Sequence, residues 1–258
     1  MLPGGGALGA YQVGILKALT EAGVAPDQLI GVSAGAVNAS LFAWNQGIDG
    51  VAHLEQIWSS MRRKDLMKIN PARIAMAFVG LRPSFFDNRP GIAFLRRHLG
   101  YRELQYAPIP LSIVTTDVSN GRAVVLDEGD AVTAVIASCS FPGVFPPMRH
   151  ADQLLMDGGV VADIPLDVAE VKGAASVLIC SVPALEAGPP PEAAIELLFR
   201  ASTFGVEAHG RTMLARPPAG LIVVEVDAPP STITTFAIGD AAQIIEDGYA
   251  ATVTWLNS

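Results

Sequence analysis

Apolar positions fall into short continuous runs separated by longer amphipathic stretches, with small residues at the joins. Leu29-Ile30, running into Gly31-Val32, is too short for a helix and predicts a strand over 29–32. Ile109 to Asp117 predicts a second strand, which Ser119-Asn120-Gly121 turns back into 123–126 as a hairpin. Ser176–Val182 and Leu221–Val226 are predominantly apolar runs, interrupted at Ser181 and Glu225, and predict parallel strands covered on both faces. Helical spacing of Val13, Leu16 and Leu19 predicts a helix ending near Ala22. Further helices are expected over 34–45, over 51–61, over 130–138 with Asp130 as N-cap, from Pro189-Pro190-Pro191 to Met213, and over 237–256. Strands alternating with helices predict an α/β class with a mainly parallel central sheet flanked by helices. Residues 51–106 carry little strand pattern and are broken by Pro71, Pro83 and Pro90, so they read as a helical, cap-like insertion. With no repeat and no long linker, a single domain over 1–258 is expected.

Composition narrows the class. The chain of 258 residues is half hydrophobic and only 16% charged, which excludes disorder and calls for a large core. Cys139 and Cys180 lie in apolar segments and are expected reduced and buried, without metal-ligand spacing, so neither a metal nor another cofactor is expected. No charged leader and no apolar run of about 18 residues is visible, so a cytoplasmic protein is expected, with leaderless export left open. The formal charge of −8 hides an asymmetry. From Arg62 to Arg102 ten basic residues face two acidic ones, a net +8 that leaves −16 on the remainder. The same segment holds the apolar run Ile74–Leu81 and then Phe85-Phe86. It reads either as a peripheral contact with an anionic membrane or as a solvated basic face flanking one buried helix. No aromatic interleaving supports nucleic acid as a partner, and the oligomeric state is not set by the pattern.

Three motifs carry the chemistry. Gly31-Val32-Ser33-Ala34-Gly35 follows the first strand and precedes a small-residue helix, as in a nucleophile elbow. Gly4-Gly5-Gly6-Ala7-Leu8-Gly9 leads into a helix, so backbone N–H groups and a helix N-terminus can receive an oxyanion or a phosphate. Asp157-Gly158-Gly159 follows the apolar Leu154-Leu155-Met156 and places a carboxylate at a strand end. His53, His98, His150 and His209 have no catalytic setting; only His209 stands where a triad would put its base, and it lies inside a helical pattern. Ser138 and Ser140 read as packing residues at a helix end, and Pro142, Pro146 and Pro147 as a rigid loop beside the site.

Taken together, these motifs resemble the patatin-like phospholipase family. Ala137-Ser138-Cys139-Ser140-Phe141-Pro142-Gly143-Val144-Phe145-Pro146-Pro147 and Asp157-Gly158-Gly159-Val160-Val161-Ala162-Asp163-Ile164-Pro165 resemble two further blocks of that family, and the likeness runs from Gly4 to about Ala169. The resemblance implies a patatin-like fold, Ser33 as nucleophile, Asp157 as its base in a Ser–Asp dyad, and Gly4, Gly5 and Gly6 as oxyanion donors. Gly9, Gly31, Gly35, Gly158 and Gly159 support the motifs. The chain departs from the family at Leu8, where many members carry Arg or Lys, and at Asp163, where Asn is usual and an altered loop contact is expected. Only Met1-Leu2-Pro3 precede Gly4 where members have an apolar strand.

The implied activity is hydrolysis of lipid carboxylic esters, of phospholipase A or lysophospholipase type, through an acyl-enzyme on Ser33. Two alternatives stay open. One is an esterase or thioesterase acting on soluble acyl substrates. The other is a phosphate- or nucleotide-binding protein using the glycine loop, although that loop lacks the Lys-Ser/Thr end of a P-loop.

Overall fold

The computed structural model describes residues 1–184, 186, 194–231 and 239–258. Its elements are α1 (Gly9–Glu21), β1 (Leu29–Val32), α2 (Ala34–Trp44), α3 (Gly47–Ser60), α4 (Arg63–Leu66), α5 (Pro71–Phe78), α6 (Arg89–Leu99), β2 (Leu111–Asp117), β3 (Ala123–Leu126), α7 (Ala131–Ser138), β4 (Met148–His150), β5 (Gln153–Asp157), α8 (Gly159–Ala162), α9 (Leu166–Val171), β6 (Ser176–Cys180), α10 (Ala194–Ala215), β7 (Ile222–Val226) and α11 (Ala241–Leu256). The triple-proline start and residue 237, the expected beginning of the last helix, lie outside the described residues.

The helix-flanked α/β sheet is as the sequence predicts, and the strand pairing refines it. β1 pairs parallel with β2 and β6 parallel with β7, while β2–β3, β2–β5 and β4–β5 are antiparallel. β2 is the organising strand. Its Val114 pairs with Val32 on one edge and Val125 on the other; its Thr115 pairs with Asp157 and Val124 in the same way. β3 therefore occupies one edge, while β1 and β5 share the other and run toward each other, end to end. Met1-Leu2 fills the place of the expected preceding strand. Leu2 N–H donates to Ile30 O at 2.8 Å, Val32 N–H to Leu2 O at 3.0 Å, and Cys180 N–H to Met1 O at 3.0 Å. This short stretch joins the β1 side of the sheet to β6.

Two apolar clusters cover the sheet's faces. One joins Leu29, Leu111 and Ile113 to helix residues such as Tyr11, Leu54 and Phe94. The other joins Ile30, Val32, Val114, Val177 and Ile179 to Ile164 and Leu166. Alternate residues of β1 and β2 thus enter opposite cores. Asp130 caps α7 as expected, its carboxylate accepting from Thr133 N–H at 2.9 Å. It also takes a bidentate Arg96 fork at 2.6 and 2.9 Å. The hairpin turn forms around Asp117, whose Oδ1 accepts from Ser119 N–H at 2.7 Å.

Three placements differ from the hydropathy reading. The expected insertion begins later, because α3 buries Val51, Leu54, Ile57 and Trp58 in the main core and is a layer helix. α5, the helix that one of the two readings of the basic segment would bury, buries none of its residues. β7 is incompletely covered: Ile222 is 64% exposed and Val224 is also exposed, while Val226 is buried.

The tightest helix contact is α1 against α11. A Cβ on Gly14 would lie 2.0 Å from Ile245 O, and one on Gly248 2.2 Å from Tyr11 O. Backbone cannot yield there without separating the helices. Gly14→Ala and Gly248→Ala are each expected to lower stability by about 1–3 kcal/mol, read as a lower urea midpoint at unchanged m-value. A midpoint within error of wild type would show that the two helices tolerate separation.

Candidate active site

Ser33 is the first residue after β1 and the N-cap of α2, with φ 51° and ψ −120°. A non-glycine residue holds such a conformation at a cost of about 1–3 kcal/mol, so the surroundings must impose it. They do so from both sides. Ser33 N–H donates to Ser138 Oγ at 2.8 Å, and that hydroxyl donates on to Val114 O at 2.7 Å. Ser33 O accepts from Ala36 N–H at 2.9 Å and from Cys139 Sγ at 3.2 Å. The elbow glycines are required by closeness. A Cβ at Gly35 would sit 2.0 Å from Leu2 O, and one at Gly31 2.7 Å from Ala36 Cα.

A serine at a helix N-cap ordinarily turns its hydroxyl to the helix N–H groups. Ser33 makes no such bond. Its Oγ donates instead to Asp157 Oδ2 at 2.7 Å. The end-to-end meeting of β1 and β5 on β2 creates this pair, because Val32 and Asp157 face adjacent residues of that strand. Asp157 is 3% exposed. Its Oδ1 accepts from Gly159 N–H at 2.9 Å, and its backbone carbonyl from Thr116 Oγ1 at 2.8 Å. Gly158 lets the chain pass over β2, since a Cβ there would lie 2.2 Å from Val114 O. Burial pushes the Asp157 carboxyl up to about 6, against the pull of the Ser33 hydroxyl and the Gly159 N–H.

The glycine loop lies across from this pair. Gly5 and Gly6 line the cavity, and a Cβ on Gly5 would meet Val182 at 2.8 Å. Gly4 N–H is held by Asp163 Oδ1 at 2.8 Å. The acid that stands where the family has an amide is therefore an anchor of the loop. Burial pushes Asp163 up to about 7; the Gly4 N–H opposes this, and the charges of Asp157 and Glu207 add to it. Gly9 brings α1 against α2, a Cβ there meeting that of Ala34 at 2.8 Å. Beneath the loop a buried polar chain fixes its base. Gln12 Nε2 donates to Pro3 O at 2.8 Å, Asn38 Nδ2 to Gly9 O at 2.8 Å and Gln12 Oε1 at 2.9 Å, and Trp58 Nε1 to Asn38 Oδ1 at 2.7 Å.

Ser33, Asp157 and the loop open on one cavity of about 570 Å³ with a mostly apolar lining. Trp58, Met61, Leu66, Phe94 and Ile136 line it, together with residues of α10 and those after β6. Leu8, where the family often has a cation, is buried in the same wall. The proline-rich loop is beside the site as expected, contributing Phe141 and Phe145. It is pinned to the insertion by Phe85 N–H to Gly143 O at 2.8 Å and Asn88 Nδ2 to Pro146 O at 2.7 Å. None of the four histidines is among the cavity's described lining residues, and His209 is exposed on α10.

Three contributions escape the motif reading. Ser138 and Ser140 are not plain packing residues: Ser138 holds the elbow, and Ser140 O accepts from Asp157 N–H at 3.1 Å. At Asp163, where an altered loop contact is expected, the partner proves to be Gly4 of the glycine loop, and Gln12 and Asn38 brace that loop. The available signal was a few polar side chains in otherwise apolar helices, since a buried hydroxyl or amide needs partners.

Ser33, strained at the end of a parallel strand, is thus bonded to a buried carboxylate beside a glycine loop. The profile of the patatin-like phospholipase family matches residues 1–170. The neuropathy target esterase sws of Drosophila melanogaster is 30% identical over 184 residues, which is 70% of this chain and 12% of that protein. Patatin-like phospholipase domain-containing protein 7 of Mus musculus is 31% identical over 188 residues, 70% of this chain and 13% of its own. An uncharacterized NTE family protein of Mycobacterium tuberculosis is 29% identical over 65% of this chain and 27% of its own. The solved structure of VipD from Legionella pneumophila aligns with 99% of this chain and 66% of its own, at a TM-score of 0.48 and 15% identity. The chain belongs to the patatin-like phospholipase family, and it spans about an eighth of the length of the fly and mouse relatives.

The two raised carboxyls set a pH dependence of stability. Unfolded, both ionise near 3.8; folded, near about 6 and about 7. Between those values the native state binds more protons than the unfolded state, so their contribution is full below 3.8 and is lost as pH rises through 6 and 7. Asp163→Asn keeps an acceptor for Gly4 N–H without the ionisation. It is expected to raise Tm relative to wild type at pH 8, by about 2–4 °C per kcal/mol relieved, with the difference vanishing near pH 4. Thermal melts of both proteins across that range check this; a pH-independent difference would refute the burial argument.

Proposed function

We propose that the chain is a serine lipid acyl hydrolase of phospholipase A or lysophospholipase type, working through a Ser33–Asp157 dyad. The observation that carries the reading is the 2.7 Å bond from Ser33 Oγ to Asp157 Oδ2 on an apolar cavity. In the first step Ser33 Oγ bonds to the ester carbonyl carbon while its proton passes to Asp157. The oxyanion is received by Gly5 and Gly6 N–H groups, with Gly4 keeping the loop in place through Asp163. Collapse breaks the bond to the leaving alcohol, which takes the proton from Asp157 and leaves an acyl group on Ser33. Water then attacks that acyl-enzyme, again giving its proton to Asp157, and Ser33 is regenerated as the fatty acid leaves.

An ordinary aspartate is a weak base at neutral pH. A carboxyl pushed up to about 6 is a better one while still mostly ionised at pH 7. The apolar walls suit an acyl chain. Phosphate binding by the loop is disfavoured, because Asp163 already takes the Gly4 N–H and a second carboxyl lies nearby. A lipid substrate brings a lipid surface as partner, met through segment 62–102.

Ser33→Ala and Asp157→Asn are each expected to lower turnover of a medium-chain p-nitrophenyl ester by at least about 10³-fold with the fold retained. Wild-type kcat/KM should rise with pH through one ionisation near 6. Release of fatty acid from phospholipid vesicles separates a lipid hydrolase from an esterase of soluble acyl compounds, which would turn over only the p-nitrophenyl ester. Full activity in Asp157→Asn would overturn the dyad, and Ser33-independent nucleotide binding without ester turnover would favour the binding-protein reading.

A further inference from the structure

α5 is built inside out. Its only charged side chain, Arg73, faces the protein, with 15% of the side chain exposed. Arg73 Nε donates to Phe86 O at 2.9 Å and its Nη2 to Ser84 Oγ at 3.0 Å; Asp87 lies 3.5 Å from Nη1. The outward positions are Pro71, Ala72, Ala75 and Phe78, spaced as one helical face, and the chain continues through exposed Val79 and Leu81. Phe78, Val79 and Leu81 are about 70% exposed. An ordinary surface helix shows water the opposite arrangement. A contiguous apolar face of this kind marks an interaction site.

We propose that this face of α5, with its exit turn, inserts shallowly into an anionic lipid surface. Charge selects the partner. Lys64, Lys68, Arg82 and Arg89 are exposed on the segments flanking α5. The segment's two acids are turned to partners: Asp65 accepts from Arg62 N–H at 3.0 Å, and Asp87 is gripped by Arg73 and Arg89. The rest of the chain carries −16, so an anionic bilayer attracts this surface and repels the others. Position supplies the use. Met67 just before α5 and Asn88 just after it both line the catalytic cavity. Docking through α5 therefore holds the cavity against the layer that supplies the acyl chain, and in this the proposal rests on the lipid hydrolase reading.

The test uses the full chain carrying Ser33→Ala, so that vesicles stay intact, and flotation with phosphatidylcholine vesicles, with or without phosphatidylglycerol. The expected result is flotation with the mixed vesicles, weakened by salt, and reduced at least about tenfold by F78S/V79S/L81S. With Ser33 restored, the same triple substitution should leave p-nitrophenyl ester turnover unchanged, which shows that the fold is kept. Phe78→Trp provides a second reading, since its added fluorescence should be quenched by brominated lipid. Equal flotation of the triple variant, no flotation of the Ser33→Ala chain, or added fluorescence of the Phe78→Trp variant that brominated lipid leaves unquenched would overturn docking. So would a dimer that the triple substitution dissolves, which would assign the face to a second copy. Flotation without ester turnover by wild type would keep the docking surface and remove the hydrolase reading.

Discussion

The site depends on two strands converging on one edge of a third. β1 runs with β2 and β5 runs against it, and their C-terminal ends meet at Val114 and Thr115. Neither chain can continue along that edge, so each must leave sharply. Ser33 leaves through a strained turn, and Asp157 through two glycines. The hydrogen bond between them follows from the meeting. The strain at Ser33 is held by groups that have no other place to go, chiefly the Ser138 hydroxyl bridging Ser33 N–H to Val114 O. A side-chain pair positioned by backbone pairing is held more precisely than one placed on loops.

That stiffness lets the protein keep two carboxyls in a poorly hydrated place. Asp157 and Asp163 each receive a backbone N–H, from Gly159 and Gly4. Those donors soften the desolvation without cancelling it, and both groups stay above their ordinary range. In the proposed dyad the penalty at Asp157 is of use, because a carboxyl pushed up to about 6 is a better base near neutral pH. Asp163 bears the same penalty in a different role, since its carboxylate tethers the first glycine and leaves the next two facing the cavity.

The local signals were legible because they are set by neighbours in sequence. The elbow, the Asp-Gly-Gly turn, the Asp130 cap and the Ser119-Asn120-Gly121 turn each need only a few residues, and each stands where the pattern put it. What could not be read depends on distant pairing. Nothing within 153–157 says that this strand will share an edge with 29–32. Met1-Leu2 looked too short to be a strand, and it serves because β1 and β6 supply its hydrogen-bond partners. The same distance hid the parts played by Ser138 and Asp163. α3 was misplaced for a different reason: its stripe of Val51, Leu54, Ile57 and Trp58 was legible, but the proline breaks after it drew the whole stretch into the insertion. For α5 the apolar run was visible, yet only the inward turn of Arg73 reveals which side meets the outside.

The contact of Gly14 with the backbone of α11 ties opposite regions of the sequence together. α1 begins at the glycine loop, and its outer side is completed only by residues 241–256. During synthesis the loop, the elbow and the aspartate emerge well before that helix exists. The nascent chain can pair β1 and β5 with β2, but the helix that follows the glycine loop stays uncovered on one side. The packing of α1 is therefore completed late, with the closing of a loop of more than two hundred residues.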